Sequence, residues 1–241
     1  MSPAPAKTLY LDHAAATPLC KEAALAVEAA YAEAPANPSS ISGAGRAAAE
    51  RLEAARGEIA SGLGVKPHSV IFTSGGTESN GLGLLGALAD RDGGHLVVSA
   101  IEHPSVLGSA AIARRRGFEV TTVPPEPDGR VDPERFASAV TPKTLLACLM
   151  HVNNEIGTIQ PVAEAFLGVK RRAPRCLTLS DAVQSFGRLQ VEPEAWQADF
   201  LSLSGHKLAG PRGIGALVAR SRRPGALFGG GEQEWGARPG T

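Results

Sequence analysis

The sequence predicts an α/β domain with a mostly parallel sheet and helices on both of its faces. Short apolar segments rich in β-branched residues alternate with longer segments whose apolar residues recur every three or four positions. In addition, 43% of the 241 residues are hydrophobic, which is enough for a sizeable core. Strands that alternate with helices form βα units, and helices then cover both sides of the parallel sheet.

Two helices are expected before the first strand. The first covers residues 17–34, with the Thr17 hydroxyl as its N-cap and Pro18 in its first turn. The second covers residues 45–59, where apolar side chains share one helical face, and Gly62 and Gly64 are expected to end it.

Six strands and four more helices are predicted in the rest of the chain. The strands are 70–73, 96–99, 119–123, 144–152, 177–180 and 200–203, and the helices between them are 79–89, 105–116, 133–140 and 162–172. In sheets of this kind the ligand binds beyond the carboxyl ends of the strands, so functional residues are expected there.

Charge and composition exclude several classes of function. The 24 Lys and Arg residues balance 24 Asp and Glu residues, and no basic block is present, so no nucleic-acid partner is expected. Because the sequence has neither a long apolar run nor a secretory signal, we expect a cytoplasmic protein with no membrane partner. The three scattered cysteines, Cys20, Cys148 and Cys176, indicate neither a disulfide framework nor a metal site.

A glycine-rich segment follows the first predicted strand and reads SGGTESN at positions 74–80. Gly76 allows a tight turn, and the next helix begins with free N–H groups that could hold a phosphate, with help from the Thr77 hydroxyl. An ordinary glycine-rich turn with a Ser or Thr cap is the alternative.

Polar residues also follow the later strands. His103 follows the second strand, the amide pair 153–154 the fourth, Asp181 the fifth, and Lys207 the sixth. Each residue alone could be a surface histidine, a turn former, a helix cap or a solvated lysine. Together they suit pyridoxal phosphate (PLP), which needs a lysine for its aldehyde and a carboxylate for its pyridine nitrogen.

Eight motifs in order resemble those of the class V aminotransferase family, and within it the cysteine desulfurases. They span nearly the whole chain and read YLDHAAATP at 10–18, NPSS at 37–40, TSGGTESN at 73–80, EH at 102–103, VNNEIG at 152–157, DAVQS at 181–185, SGHK at 204–207 and a glycine-rich stretch at 229–241.

The resemblance implies the large domain of a fold-type-I PLP enzyme that dimerises and converts L-cysteine to L-alanine. It implies that Lys207 attaches the cofactor aldehyde, that Asp181 pairs with the pyridine nitrogen, and that His103 stacks on the ring and assists proton transfer. Gln184 would bond the ring's phenolic oxygen. The remaining implied cofactor contacts are Gly76, Thr77, Asn154, Ser204, His206 and, reaching the partner subunit's phosphate, Thr241.

The resemblance also implies a persulfide on the enzyme and a sulfur-acceptor or iron–sulfur scaffold partner. It divides the chain into an N-terminal segment, 1–17, which would pack with a small domain, and a PLP-binding large domain, 18–241. The family's nucleophilic cysteine and substrate-binding arginine lie further downstream, so we expect the small domain to be absent from these residues. The nucleophile is assigned to none of the three cysteines, and Cys148 is expected to be a buried hydrophobe.

Three alternatives stay open. A G-x-G-x-x-G pattern at 81–86 is compatible with a nicotinamide enzyme, but residues 74–80 separate it from the strand, which favours helix–sheet packing as its role. A selenocysteine lyase or another β-eliminating PLP enzyme is the second alternative. The third is a catalytically silent protein that binds PLP or associates with a desulfurase.

Overall fold

One seven-stranded sheet organises the chain, of which the computed structural model describes residues 9–227 and 233–238. The strands are β1 Val70–Thr73, β2 His95–Ser99, β3 Glu119–Val123, β4 Thr144–Cys148, β5 Leu177–Asp181, β6 Phe200–Ser204 and β7 Gly215–Ala219. The helices are α1 Lys21–Glu33, α2 Gly43–Leu63, α3 Gly76–Ala87, α4 Pro104–Arg115, α5 Pro133–Ser138 and α6 Val162–Arg172.

The strand order is β1-β7-β6-β5-β4-β2-β3, and neighbours from β6 to β3 pair in parallel. Strand β7 pairs antiparallel with both β1 and β6, so it alone of these strands runs against the others. The prediction of a mostly parallel α/β sheet is therefore confirmed.

Two apolar layers lie on opposite faces of the sheet, because successive strand side chains point to opposite sides. Leu96 and Val98 of β2 belong to one layer, with side chains of α3 and α4, whereas Val97 belongs to the other. Phe136 of α5 and Phe166 of α6 are fully buried in that second layer. Helices thus cover both faces, as predicted.

The predicted start of the first helix is wrong, because a distant loop uses the proposed capping group. The Thr17 hydroxyl donates to the carbonyl of His206 at 2.8 Å and accepts from the N–H of Ala209 at 2.7 Å. Helix α1 begins four residues later, and the Cys20 sulfur accepts its capping bond from Ala23. No side chain of α1 is buried.

Other element boundaries also differ from the predictions, and α3, for example, begins three residues earlier than expected, at Gly76. Strand β7 was not predicted at all, and β4 ends at Cys148 rather than at Val152, which forms an isolated antiparallel bridge with Ile159. Helix α2 runs through Gly62 and ends at Leu63, with Gly64 as its C-cap at a φ of 63°, in the left-handed region. Within the described ranges, no helix is both long and apolar enough to span a membrane.

Candidate active site

A cavity of about 770 Å³ lies at the carboxyl-terminal edge of the parallel strands. Loops that follow β1, β2, β4, β5 and β6 all contribute to its lining, as the topology predicts. Thr241 lies outside the described residues. The other nine residues to which the resemblance assigns a catalytic or cofactor role all line this cavity: Gly76, Thr77, His103, Asn154, Asp181, Gln184, Ser204, His206 and Lys207.

The glycine turn after β1 brings the backbone close to the loop that follows β5. Gly75 has a φ of 154°, which few other residues adopt, and a Cβ added at Gly76 would lie 2.7 Å from the Val183 side chain. Helix α3 begins at Gly76, so its first N–H groups lack intrahelical partners where Thr77 lines the cavity. This turn can hold an anion such as a phosphate.

Ser204 and His206 line the cavity together, with Ser204 Oγ 3.0 Å from His206 Nδ1. Burial lowers the pKa of His206, and the positive charges of Lys207 and Arg212 lower it further. A neutral imidazole and a hydroxyl can both donate hydrogen bonds to a phosphate without a fixed charge.

Asp181 is a buried carboxylate at the end of β5. Its Oδ2 accepts from Asn80 Nδ2 at 2.6 Å, and its Oδ1 accepts from the N–H of Val183 at 2.9 Å. Burial raises the pKa of Asp181, while Asn80, His103 and Lys207 oppose that rise. Among the described residues it forms no ion pair within 4 Å, so it can receive a cationic group such as a protonated pyridine nitrogen.

Lys207 follows β6 in a short 3₁₀ turn and faces the N-terminal segment across the cavity. Its Nζ donates to the carbonyl of Ala15 at 2.8 Å and also to that of Ala14, to which Gln184 Nε2 donates at 2.8 Å. Burial lowers the pKa of Lys207, and the nearby Arg188 lowers it further. A lower pKa increases the fraction of neutral amine, which is the form that attacks an aldehyde.

His103 is held by the start of α4, for which it provides the N-cap. Its Nδ1 accepts from the N–H of Ser105 at 3.1 Å and lies 2.7 Å from Ser105 Oγ. Asn80 Nδ2 donates to that same hydroxyl oxygen at 2.9 Å. Hydrogen bonds therefore connect Asp181 to His103 through Asn80 and Ser105.

The amide pair after β4 divides into a structural and a cavity-facing residue. Asn153 Oδ1 accepts from the N–H groups of Glu155 and Ile156 at 2.9 and 3.0 Å, and its Nδ2 donates to Ile101. Asn153 is thus a turn former, whereas Asn154 lines the cavity.

None of the three cysteines of the sequence lines the cavity. Cys148 and Cys176 are buried, and burial raises the pKa of Cys176 to about 12 and that of Cys148 well above its usual value. Neither is a reactive thiolate at neutral pH. The expectation that Cys148 is a buried hydrophobe is confirmed.

The G-x-G-x-x-G pattern lies inside α3, not in a strand-to-helix turn. A Cβ added at Gly83 would lie 3.0 Å from Leu179 Cδ1 and 3.3 Å from Leu217 Cδ1. The glycines therefore serve close packing of α3 on the sheet, as the sequence analysis favoured over dinucleotide binding.

Asn80 and Ser105, to which the sequence alone assigns no role, contact the predicted residues directly. A signal for Asn80 was present, since it lies four residues after Gly76 and such residues share one helical face. The contact of Ser105 depends on how α3 and α4 pack together, and no local pattern indicates it.

Comparisons with known proteins identify close relatives over nearly the whole chain. The family described as aminotransferase class-V matches residues 9–235. The cysteine desulfurase IscS of Dictyoglomus turgidum is 40% identical over 239 residues, which are 98% of this chain and 60% of that protein. The IscS of Methanosarcina thermophila is 40% identical over 238 residues, covering 98% of this chain and 58% of that protein.

Solved structures give the same result. The structure titled SspA in complex with cysteine has a TM-score of 0.91 and 36% identity over 97% of this chain and 68% of that one. A NifS-like protein has a TM-score of 0.92 and 35% identity over 97% of this chain and 65% of that one. The chain spans about three fifths of the length of the curated relatives described above.

Proposed function

The chain belongs to the class V aminotransferase family, whose members depend on PLP, and we propose that it is a cysteine desulfurase acting on L-cysteine. The single observation that carries this proposal is the meeting of Lys207, Asp181 and the α3 glycine turn around one cavity. The IscS relatives support the activity, and the cysteine bound to SspA supports the substrate.

The residues present suit PLP. Asp181, a buried carboxylate with no cationic partner among the described residues, would hold the pyridine nitrogen. The turn at Gly76 and Thr77 would hold the phosphate with Ser204 and His206. When bound, PLP supplies an aldehyde for covalent attachment and an electron-withdrawing ring.

Lys207 would be the point of attachment. To reach the aldehyde, its amine must break its hydrogen bonds to the carbonyls of Ala14 and Ala15. The lowered pKa of Lys207 favours the neutral amine, which is the form that attacks the aldehyde. His103 would stack on the ring and exchange protons with the substrate. Gln184 would donate a hydrogen bond to the phenolic oxygen of the ring, and Asn154 would lie near that oxygen and the substrate carboxylate.

The overall reaction transfers sulfur to a thiolate. The carbon–sulfur bond of L-cysteine breaks, the sulfur forms a persulfide with the thiolate, and the β-carbon takes a proton to give L-alanine. Because none of the three cysteines lines the cavity, we propose that the thiolate comes from a group outside these 241 residues.

Several broader features rest on the resemblance to IscS alone. We propose a homodimer in which Thr241 reaches the partner's phosphate, a sulfur-acceptor or iron–sulfur scaffold partner, and a cytoplasmic location. The division into segment 1–17 and large domain 18–241 is likewise a proposal, and the bonds of Thr17 to the loop at 206–209 indicate that the two parts are in contact.

The test is formation of L-alanine from L-cysteine with PLP and a dithiol as sulfur acceptor. We expect PLP-dependent alanine formation, lowered about 100-fold or more in Asp181→Asn, because unpairing a buried ionic group costs about 3–5 kcal/mol. The exposed Asp128→Asn is the matched control and should retain activity.

A PLP-binding protein without turnover is the second candidate function, and the absence of a cysteine from the cavity lining favours it. Binding of PLP with no alanine from L-cysteine or L-selenocysteine would support that candidate and contradict the desulfurase.

A further inference from the structure

Two acidic side chains without a role in the proposed chemistry accept hydrogen bonds from the outer side of β1 and from the residue that follows it. Glu234 Oε2 accepts from the N–H of Phe72 at 2.8 Å, and Glu78 Oε2 accepts from the N–H of Ser74 at 2.7 Å. Among the described strands, β1 pairs only with β7, so alternate N–H groups on its other side need partners from elsewhere.

Each acid is paired with an arginine. Arg56 bonds Glu234 through two nitrogens, at 2.8 and 2.9 Å, and also donates to the carbonyl of Val70 at 2.6 Å. Arg238 likewise bonds both oxygens of Glu78, with Nη2 3.0 Å from Oε2. Planar, two-point pairing of this kind fixes orientation as well as distance.

Segment 233–238 therefore contacts β1 directly through Glu234 and reaches Ser74, just after β1, through the Arg238–Glu78 pair. We name the Arg56–Glu234 and Arg238–Glu78 pairs the edge clasp. Glu234 and Trp235 have φ values of 50° and 57°, a left-handed backbone conformation that costs energy for residues other than glycine. Arg56 and Arg223 stack on the Trp235 ring, with guanidinium carbons 4.6 and 4.3 Å from its centroid.

One pair of the edge clasp, Arg238 and Glu78, adjoins the phosphate turn. Ser74 is the residue directly before Gly75 and Gly76, and Glu78 lies in the first turn of α3 and lines the cavity. Fixing the N–H of Ser74 to Glu78 fixes the course of the chain into the turn. Arg238 also neutralises a carboxylate that would otherwise repel an anion bound there.

We propose that Arg238 and Glu78 are positioning residues for the cofactor phosphate, through which segment 233–238 controls the phosphate turn. This inference rests on the proposed function, because it takes the anion at the turn to be the phosphate of PLP. Arg238 is not among the residues that line the cavity, so it acts on the turn through Glu78 and Ser74.

The test compares equilibrium dialysis of PLP with that of pyridoxal, which lacks the phosphate. We expect Arg238→Gln to bind PLP at least about 10-fold more weakly, equivalent to about 1.4 kcal/mol, and to bind pyridoxal as the wild type does. Arg238→Lys keeps the charge and should restore most of the PLP affinity. Arg172→Gln, which breaks an exposed pair with Glu134, is the matched control.

A double variant separates positioning from general damage to the fold. Adding Glu78→Gln to Arg238→Gln removes the unneutralised carboxylate, so part of the lost PLP affinity should return although two contacts are now missing. Thermal unfolding of each variant reports folding independently.

Equal weakening of PLP and pyridoxal in folded Arg238→Gln, or no weakening of either, would overturn the inference alone. A wild type that does not prefer PLP to pyridoxal would overturn the proposed phosphate site, and the inference with it.

Discussion

At the scale of single residues, the site depends on Asp181, a buried carboxylate that no described cationic side chain pairs with. Asp181 accepts two hydrogen bonds and forms no ion pair with a described residue, and Asn80 Oδ1 beside it is buried without a partner there. Leaving a buried acceptor unpaired costs about 1–3 kcal/mol. The Asn80 amide thus donates to the Asp181 carboxylate while its own oxygen stays unpartnered among the described residues.

Arg188 tunes the reactivity of Lys207. Its Nη2 donates to the carbonyl of Lys207 at 2.7 Å, and its charge adds to burial in lowering the pKa of that lysine. We expect Arg188→Gln to raise the pKa of Lys207, so the neutral amine will form at higher pH. The pH profile of the rate of PLP attachment, followed by absorbance, should shift to alkaline pH.

The exposed Arg115→Gln is the control for this shift, because it removes the same charge far from the cavity lining. An unchanged profile in Arg188→Gln would show that burial alone sets the reactivity of Lys207.

The sequence predicts which single residues lie at the strand ends better than it predicts their contacts. Lys207, Asp181 and His103 were found from the sequence because each follows a strand, and the strand ends meet at one edge. Asn80, Ser105 and Arg238 were not, since their roles arise from side-chain contacts between elements distant in the chain. Spacing within α3 places Asn80 on the same helical face as Gly76, but no local pattern indicates the contacts of Ser105 or Arg238.

At the scale of elements, the close packing of α3 on the sheet sets the position of the site residues that this helix carries. Gly83 lets the helix lie against Leu179 and Leu217. This packing places Asn80 beside Asp181 and Gly76 beside Val183. The helix is thus both the packing element and the support of the phosphate turn.

Two glycines in neighbouring helices should respond oppositely to the same substitution. Gly83→Ala puts a methyl group 3.0 Å from Leu179, and overpacking of this kind costs about 1–3 kcal/mol of unfolding free energy. Gly108→Ala in α4 meets no atom within 4 Å, and should stabilise the protein by about 0.5–1 kcal/mol. Urea unfolding measures both; two changes of the same sign would refute the packing role of Gly83.

Elements were predictable where local chemistry decides them. Strands β1 and β3 and helix α6 have the predicted bounds, because their apolar patterns and flanking turns agree. Strand β7 is a five-residue run after a loop rich in glycine and proline, and its pairing with β1 and β6 is tertiary. The start of α1 was misassigned because Thr17 bonds to the loop after β6.

At the scale of the whole molecule, a buried acid makes stability depend on pH. Glu102 Oε1 accepts from Ser99 Oγ at 2.6 Å and from the N–H of Met150 at 2.7 Å, which ties the end of β2 to the end of β4. Burial raises the pKa of Glu102 from 4.5 to about 8, although these two bonds oppose the rise.

The folded protein therefore binds a proton between about pH 4.5 and 8 that the unfolded chain releases, so this group's contribution to stability falls as pH rises. Glu102→Gln removes the titration and keeps the acceptor. We expect the stability of Glu102→Gln relative to wild type to grow by roughly 3–4 kcal/mol between pH 5 and pH 8.

Urea unfolding at pH 5, 6.5 and 8 measures this trend, with the exposed Glu164→Gln of α6 as the control variant. A stability difference that stays constant over this range would mean that Glu102 is ionised in the folded protein throughout.

The central claim for the whole molecule is that its strand ends assemble a PLP site with Lys207 as the point of attachment. The most direct measurement is borohydride reduction of the protein with PLP, followed by peptide mapping of the labelled lysine by mass spectrometry. We predict one label on Lys207, lost in Lys207→Ala and kept in the exposed Lys143→Ala. A label on another lysine, or equal labelling of Lys207→Ala, would contradict the account.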